Sequence, residues 1–509
     1  MDSELFIRRH DPIDQISPDI YGHFAEHLGR CIYGGVWVGD DGQVETNDGI
    51  REDTVSLLRE LDMPVLRWPG GCFADDYHWE DGVGAREDRP QRRNLHWAQG
   101  REEVFEESND FGTDEFVRLC ESLGTEPYFA ANVGTGSPDE ATNWVEYCNY
   151  DGDTELANRR RENDQTGNGE DGYDVRFWGV GNENWGCGGR FSPEEYAKEF
   201  RRYANYLRTY DRTMSNTDLE LIAVGHINDD WNRRFLDQLE QGIDWVDGSP
   251  HNLMDHLAVH RYYKAGGETE FTEEQYYKLF ARARKVAADV DDAIEALDVF
   301  APHADIGVIV DEWGVWHPEA VSDNGLEQEN TVRDAVSAAG VLDDLNARAD
   351  VVTMANIAQT VNVLQCLVQT NESEAWTTPT YHVFDLYKKH MGGTALRTVV
   401  DTDVLEIEDE EFDVPMVSAS ASESDGNVFA TVSNRDLNES RTVRVDTDMD
   451  ELSTVEAEVL FEDLEADEFS SPDNADDFAA DTLEVEEIED GICVVELPPN
   501  TVASITLSE

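Results

Sequence analysis

VRFWGVGNE, residues 175–183, is a short apolar run that stops abruptly on polar and acidic side chains. Its length and its Val, Phe and Trp content suit a strand covered on both faces, as in a parallel sheet. Shortly after it, Ser192-Pro193 opens a helical pattern that runs through Tyr210, with Pro at the first helical position, where its missing N–H costs nothing. The same alternation recurs on either side. IYGHF (20–24), PVLRWPGG (64–71) and EPYFAANVG (126–134) precede it; LELIAVGHI (219–227), MDHLAVHRYY (254–263), IGVIVDEWG (306–314) and VVTMANIAQ (351–359) follow. Thr113 reads as the cap of TDEFVRLCESLG, and Tyr381 to His390 as the last helix. Eight strand–helix units over residues 16–391 predict an α/β fold, a (β/α)8 TIM barrel. A doubly wound sheet is the alternative, but the polar, Gly- and Trp-rich ends of so many strands favour the barrel.

Beyond residue 391 the helical periodicity stops. VPMVSAS, NVFATVS, RTVRVDT and TVEAEVLF alternate in the manner of half-buried strands and predict a C-terminal antiparallel β-sandwich over residues 392–509. Residues 1–15, with ELFIRR, read as a strand of the same sandwich. The acidic stretch EIEDEEFD (406–413) reads as a loop.

The charge balance excludes some partners. Against 111 acidic residues stand 38 Lys plus Arg, a net charge of −73. No basic stretch exists to meet phosphate, so nucleic acid and anionic membrane are not expected partners. A cationic partner or an acidic tail would cluster the acid, yet it is spread along the whole chain; the reading favoured is adaptation to high salt. No apolar run approaches the ~18–20 residues of a membrane span, and the amino terminus lacks a signal-like apolar core, so the expected address is cytoplasmic. Seven scattered cysteines with no C-x-x-C pair predict reduced thiols rather than a disulfide frame.

In a barrel the active site lies at the carboxyl ends of the strands, which is where RWPGGC, GNENWG, HRYY, DEWGVW and the Gln of NIAQ fall. Glu183 and Glu312 each close an apolar strand, the fourth and seventh of eight, beside Trp185 and Trp313. A carboxylate in such a place is costly unless used or paired. Two of them predict glycoside hydrolysis with retention, which needs one carboxyl group to protonate the departing oxygen and another roughly 5–5.5 Å away to attack the sugar. Asn182, preceding Glu183, is placed to bond a hydroxyl next to the reacting carbon, which makes Glu183 the acid/base and Glu312 the nucleophile. His23, His27 and His260 lack metal-ligand spacing, so no metal is expected. The Gly-rich GCGG (186–189) lacks any phosphate-binding fingerprint and reads as a loop shaping the pocket.

IYGHFAEHLGRCIYGG (20–35), LRWPGGCFADDYHWEDGVG (66–84), FWGVGNENWGCGG (177–189), HRYY (260–263), DEWGVW (311–316) and AQTVNVL (358–364) resemble the signature segments of glycoside hydrolase family 51, which consists mainly of α-L-arabinofuranosidases. The resemblance spans the whole chain. It implies a retaining double displacement, no cofactor, and a homo-oligomer, often a hexamer. Matched motif by motif, it makes Glu183 the acid/base and Glu312 the nucleophile. It makes Glu26 an acceptor for furanose hydroxyls, gives Asn182 and Gln359 further hydrogen bonds, and has Tyr262 position the nucleophile. Arg67 supports the carboxylates from beneath, and Trp97 and Trp316 touch the sugar or its leaving group. Apart from the resemblance, His260 reads as support for the sugar pocket in contact with the sugar-facing Glu. Cys72 departs from one common pattern, in which Asn follows the Gly pair; it implies a weaker sugar contact and a thiol open to oxidation. The substrates implied are arabinofuranosyl-containing oligosaccharides. A retaining β-glycosidase or endoglucanase on the same barrel is the enzymatic alternative, and a non-catalytic carbohydrate-binding protein the other.

Overall fold

The computed structural model describes residues 2–39, 43–97, 106–164, 169–212, 218–241, 250–449, 452–489 and 491–508. After a long first strand, β1 (Asp2–Gln15), come the eight strands read from the sequence: β2 (Gly22–Phe24), β3 (Val65–Trp68), β4 (Glu126–Ala131), β5 (Phe177–Val180), β6 (Glu220–Val224), β7 (His256–Tyr263), β8 (Gly307–Val315) and β9 (Val352–Ala358). They pair in parallel, each with the next and β9 with β2, into a closed barrel. One floor of the interior is filled by Val65, Tyr128, Phe177, Ile222, Ala258, Ile309 and Met354, one from each of β3 to β9. β2 contributes Gly22 instead, because a Cβ there would lie 2.6 Å from Val65 Cγ1 and 2.2 Å from Asn356 Oδ1.

Helices cover the barrel's outside. Pro193–Asp211 begins as read: Ser192 accepts from Glu195 N and Glu195 reaches back to the Ser192 amide, so two orphan donors of the first turn are satisfied. The helix Thr113–Leu123 begins one residue earlier than read. Gly112, in extended backbone, is its cap; Glu115 accepts from the Gly112 amide at 3.0 Å, and the Thr113 hydroxyl instead accepts from Trp144 Nε1. Among the described residues no helix is long and apolar enough to cross a membrane.

The C-terminal strands are β10 (Thr394–Asp401), β11 (Val417–Ser424), β12 (Asn427–Asn434), β13 (Arg441–Thr447), β14 (Thr454–Leu460), β15 (Asp481–Thr482), β16 (Val485–Glu489), β17 (Ile492–Leu497) and β18 (Thr501–Ser508). With β1 they form one hydrogen-bonded sheet of ten strands, in the order β15-β14-β18-β12-β11-β10-β1-β13-β17-β16. The sheet folds over itself, bringing β17 near β18 and β16 near β14, and encloses a core that includes Val428, Val432, Val443, Val495 and Ile505. The sandwich is not wholly antiparallel: β1 pairs antiparallel with β10 but parallel with β13. A strand supplied from the other end of the chain has no hairpin to dictate its direction. Asp343, on the helix Val332–Asn346, accepts from Ser418, Ser420 and Thr431 at 2.6–3.1 Å and fixes this sheet to the barrel.

Candidate active site

Strand alternation would point Asp311 and Glu312 to opposite faces of the barrel wall. A bulge prevents this. Val259 pairs with Val310 but His260 pairs with Glu312, so Asp311 is the extra residue, and both carboxylates turn toward Arg67. Arg67 Nη1 donates to Glu312 Oε1 at 2.8 Å, Nη2 donates to Asn182 Oδ1 at 2.6 Å, and Nε lies 3.1 Å from Asp311 Oδ2. Tyr128 and Asn356 also donate to Asp311, at 2.8 and 2.9 Å. Burial works against ionisation of Asp311, but the Arg67 charge holds its carboxyl below the usual range. Tyr262 donates its hydroxyl to Glu312 Oε2 at 2.8 Å. The second carboxylate is thus bonded on both oxygens.

Glu183 lies in the turn after β5, with φ +38° in the left-handed region. That conformation costs a non-glycine residue about 1–2 kcal/mol and persists only where the surroundings impose it. Its Oε1 lies 3.1 Å from His260 Nδ1, which is itself 3.6 Å from Glu312 Oε2. One oxygen of Glu183, one ring nitrogen of His260 and one oxygen of Glu312 all lie within 4.8 Å of one another. Burial alone would depress the imidazole, but Glu312, with Asp311 and Glu183, pushes it up to about 10. The Glu183 side chain is 21% exposed and that of Glu312 7%, so the first meets the opening and the second the floor.

Glu26 follows β2. Its Oε1 accepts from Phe73 N and Trp97 Nε1, both at 3.0 Å, and its Oε2 from Gln359 Nε2 at 3.2 Å. Burial, and then the neighbouring Glu312, pushes its carboxyl up to about 7. Gly71 separates the two: a Cβ there would sit 3.2 Å from Glu312 Oε1 and 3.3 Å from Glu26 Oε1, in the space between the carboxylates. Two polar atoms in this ring, Asn182 Nδ2 and Gln359 Oε1, are buried without a protein partner. Groups of that kind await a hydroxylated ligand or water. Trp316 packs edge-on against Tyr262 with ring centroids 5.3 Å apart.

Outside Glu183 a depression of about 700 Å³ is lined by Cys72, His96, Trp97, Trp185, Gly186, Cys187 and Arg190. Here the sequence reading fails in one respect. Cys72 is not a free thiol: it is disulfide-bonded to Cys187, with Cα atoms 5.5 Å apart. The partners are 115 residues apart and meet because the turns after β3 and β5 come together on the rim beyond the end of β4, the strand between them. An odd cysteine count requires only an odd number left over, and five buried thiols remain. Cys72 therefore presents a disulfide sulfur rather than a thiol to this depression.

The structure brings Glu26, Arg67, Cys72, Trp97, Asn182, Glu183, His260, Tyr262, Glu312, Trp316 and Gln359 to one end of the barrel. Trp313 lies elsewhere: it is fully buried and stacks on Phe384. His23 packs on Phe384 in the core, and His27 is held between Glu107 Oε2 and Trp68 Nε1 behind Glu26. Sequence reasoning missed Asp311 and Asp75. Asp311 stands beside Glu312 in DEW, and only the strand register reveals that it faces the same way.

A (β/α)8 barrel with two carboxylates this close at its carboxyl rim defines a glycoside hydrolase. Residues 57–282 match the family described as "Alpha-L-arabinofuranosidase 1 domain", and residues 311–501 match "Alpha-L-arabinofuranosidase C-terminal domain". The chain is 39% identical over 439 residues to an intracellular exo-α-L-arabinofuranosidase of Bacteroides ovatus, covering 84% of this chain and 81% of that one. Among solved structures, the GH51 arabinofuranosidase from Xanthomonas axonopodis pv. citri superposes over 100% of both chains with a TM-score of 0.90 and 33% identity. The α-L-arabinofuranosidase of Thermotoga maritima, solved as an arabinose complex, covers 99% of both with a TM-score of 0.82 and 30% identity. The chain belongs to the α-L-arabinofuranosidases of glycoside hydrolase family 51.

Proposed function

We propose that Glu183 is the general acid/base and Glu312 the nucleophile of a retaining, exo-acting reaction on terminal non-reducing L-arabinofuranosyl groups of arabino- and arabinoxylo-oligosaccharides. The observation that carries this is the Glu183–His260–Glu312 triangle, whose atoms lie within 4.8 Å of one another. That nearest-atom spacing is shorter than the roughly 6.5–9.5 Å that an inverting enzyme keeps between its carboxyl groups to admit a water. In the first step a Glu312 oxygen bonds the anomeric carbon as the glycosidic C–O bond breaks, and the Glu183 proton passes to the departing oxygen. In the second, water attacks the glycosyl ester, gives its proton to Glu183 and frees Glu312.

The other residues have supporting roles. Arg67 and Tyr262 hold Glu312 in place and offset its charge until it is used. Glu26, Asn182 and Gln359 are proposed to bond the furanose hydroxyls, with the unpartnered Asn182 Nδ2 and Gln359 Oε1 aimed at them. Trp97 and Trp316 supply apolar contact, and the depression beside Trp185 receives the leaving group. The proposal extends to a cytoplasmic address, for which the Bacteroides relative is a parallel, to a homo-oligomer by analogy with the family, and to a halophilic source on the net charge of −73.

The test is Glu312→Ala together with a substrate panel. Turnover of an aryl α-L-arabinofuranoside should fall by several orders of magnitude while L-arabinose still binds, and wild-type enzyme should release the α-anomer first, as read by NMR. Turnover of β-glucoside, β-xyloside or carboxymethylcellulose alone would favour the β-glycosidase reading. Unchanged turnover in Glu312→Ala would defeat the nucleophile assignment.

A further inference from the structure

Asp75 lies behind the Asn182–Glu183 turn, buried to 2% exposure, and takes no part in the steps above. Its Oδ1 accepts from Val133 N at 2.8 Å and Gly134 N at 2.9 Å, in the turn after β4. Its Oδ2 accepts from Asn182 N at 2.9 Å and Asn184 Nδ2 at 3.1 Å, on either side of Glu183. Its own carbonyl accepts from Thr135 N at 3.0 Å. Gly188 closes over the carboxylate, since a Cβ there would fall 2.1 Å from Asp75 Oδ2 and 2.1 Å from the Asn182 carbonyl. Among the described residues Asp75 has no cationic partner; burial pushes its carboxyl up to about 7, against the pull of these four neutral donors.

A solvated carboxylate has no reason to enter such a place, so the convergence needs an explanation beyond solubility. The donors come from two strand-end turns, after β4 and β5, while Asp75 stands in a third, after β3; what the contacts hold is the turn in which Glu183 adopts φ +38°. We propose that Asp75 is a positioning residue for the general acid/base: it fixes the turn that carries Glu183 and, through Asn182, ties it to Arg67 and Glu312. The inference rests on the reading of Glu183 as acid/base. Among the described residues the four hydrogen-bond partners of this side chain are all N–H donors, so a carboxylate fits them and an amide would turn its own N–H against two of them.

The test uses the full-length enzyme with Asp75→Asn and a series of aryl α-L-arabinofuranosides of rising leaving-group pKa. A displaced acid matters only where the leaving oxygen needs its proton. For the dinitrophenyl glycoside kcat/KM should stay within ~3-fold of wild type, whereas for the phenyl glycoside it should fall by ~100-fold or more, the scale of lost general-acid catalysis. With the dinitrophenyl substrate kcat should fall and recover on adding azide, which replaces water without needing a base. Asn184→Ala removes one of the four donors and keeps the test alive if Asp75→Asn does not fold; it should give the same pattern at ~10-fold, less than the ~100-fold of lost general-acid catalysis because three donors remain. A fall equal for all leaving groups and unmoved by azide, or no fall, overturns the proposal. Glu183→Gln is the control. If it loses activity equally across the series, the acid/base assignment fails and takes this inference with it; if it shows the steep dependence and Asp75→Asn does not, only the positioning role fails.

Discussion

The Nδ1 of His260 lies 3.1 Å from Glu183 Oε1, and the same atom is 3.6 Å from Glu312 Oε2, so one imidazole stands between the two carboxyl groups proposed to react. The surrounding carboxyl groups, Glu312 first and then Asp311 and Glu183, outweigh its burial and keep it protonated at neutral pH. Its value of about 10 in the fold exceeds the ~6.5 of an unfolded chain. The stabilisation is therefore complete below about pH 6.5 and lost as pH rises through about 10. Replacing His260 by Asn keeps a donor but removes the titration. Melting temperature at fixed salt should fall more steeply for wild type than for His260→Asn between these limits, so that the two curves converge. Parallel curves would mean that the imidazole is not protonated in the fold.

Arg67 donates hydrogen bonds to Glu312 and Asn182 and pairs its charge with Asp311, from a side chain only 1% exposed. A lysine ammonium cannot span that fork, and a partly unpaired buried carboxylate is costly. Arg67→Lys should lower kcat/KM for an aryl α-L-arabinofuranoside by about 100-fold or more, equivalent to about 2.7 kcal/mol of transition-state stabilisation. The melting temperature should drop as well. An effect under threefold would show that Glu312 needs no such support.

Much of this arrangement was legible in the sequence. The eight strands announced themselves because both of their faces are covered, which leaves apolar runs ending on the polar residues of the rim. Glu183 and Glu312 stood out by the same contrast. What was not legible depends on register and on neighbours distant in the chain. Asp311 turns inward because of a bulge, whereas alternation assigns it to the opposite face from Glu312. Asp75 looks like one acid among 111 until four donors from two distant turns are seen around it. The helix start at Gly112 was misplaced because a glycine cap offers no side chain to recognise.

The Cys72–Cys187 bond makes a count that chemistry can check. Alkylation of the denatured, unreduced protein should label the five remaining cysteines, Cys31, Cys120, Cys148, Cys366 and Cys493, and reduction should expose two more. Intact-mass measurement before and after reduction distinguishes five labels from seven. Seven without reductant would restore the reduced pair and return Cys72 to the role of a thiol at the sugar pocket.

Salt dependence follows from how the charges are deployed. Even if each of the 38 Lys and Arg neutralised one acid, an excess of 73 negative charges would remain. A few of the cations are committed to pairs that salt scarcely touches because they are buried, such as Arg67–Glu312, Arg89–Glu115 and Arg333–Asp334. The excess lies at the surface, where repulsion reaches over ~10 Å at 0.1 M salt and only ~3 Å at 1 M. Melting temperature and activity should therefore climb from dilute buffer into molar KCl, and sucrose at the same osmolality should not reproduce the gain. Glu406 and Glu408 are exposed in the acidic loop and make a direct probe of the cause. Changing both to Lys removes four units of net negative charge and should raise the melting temperature in dilute buffer while leaving it nearly unchanged at 2 M KCl, where the repulsion is already screened. A protein equally stable with and without salt would show that its packing carries the charge unaided, and the halophilic reading would fail.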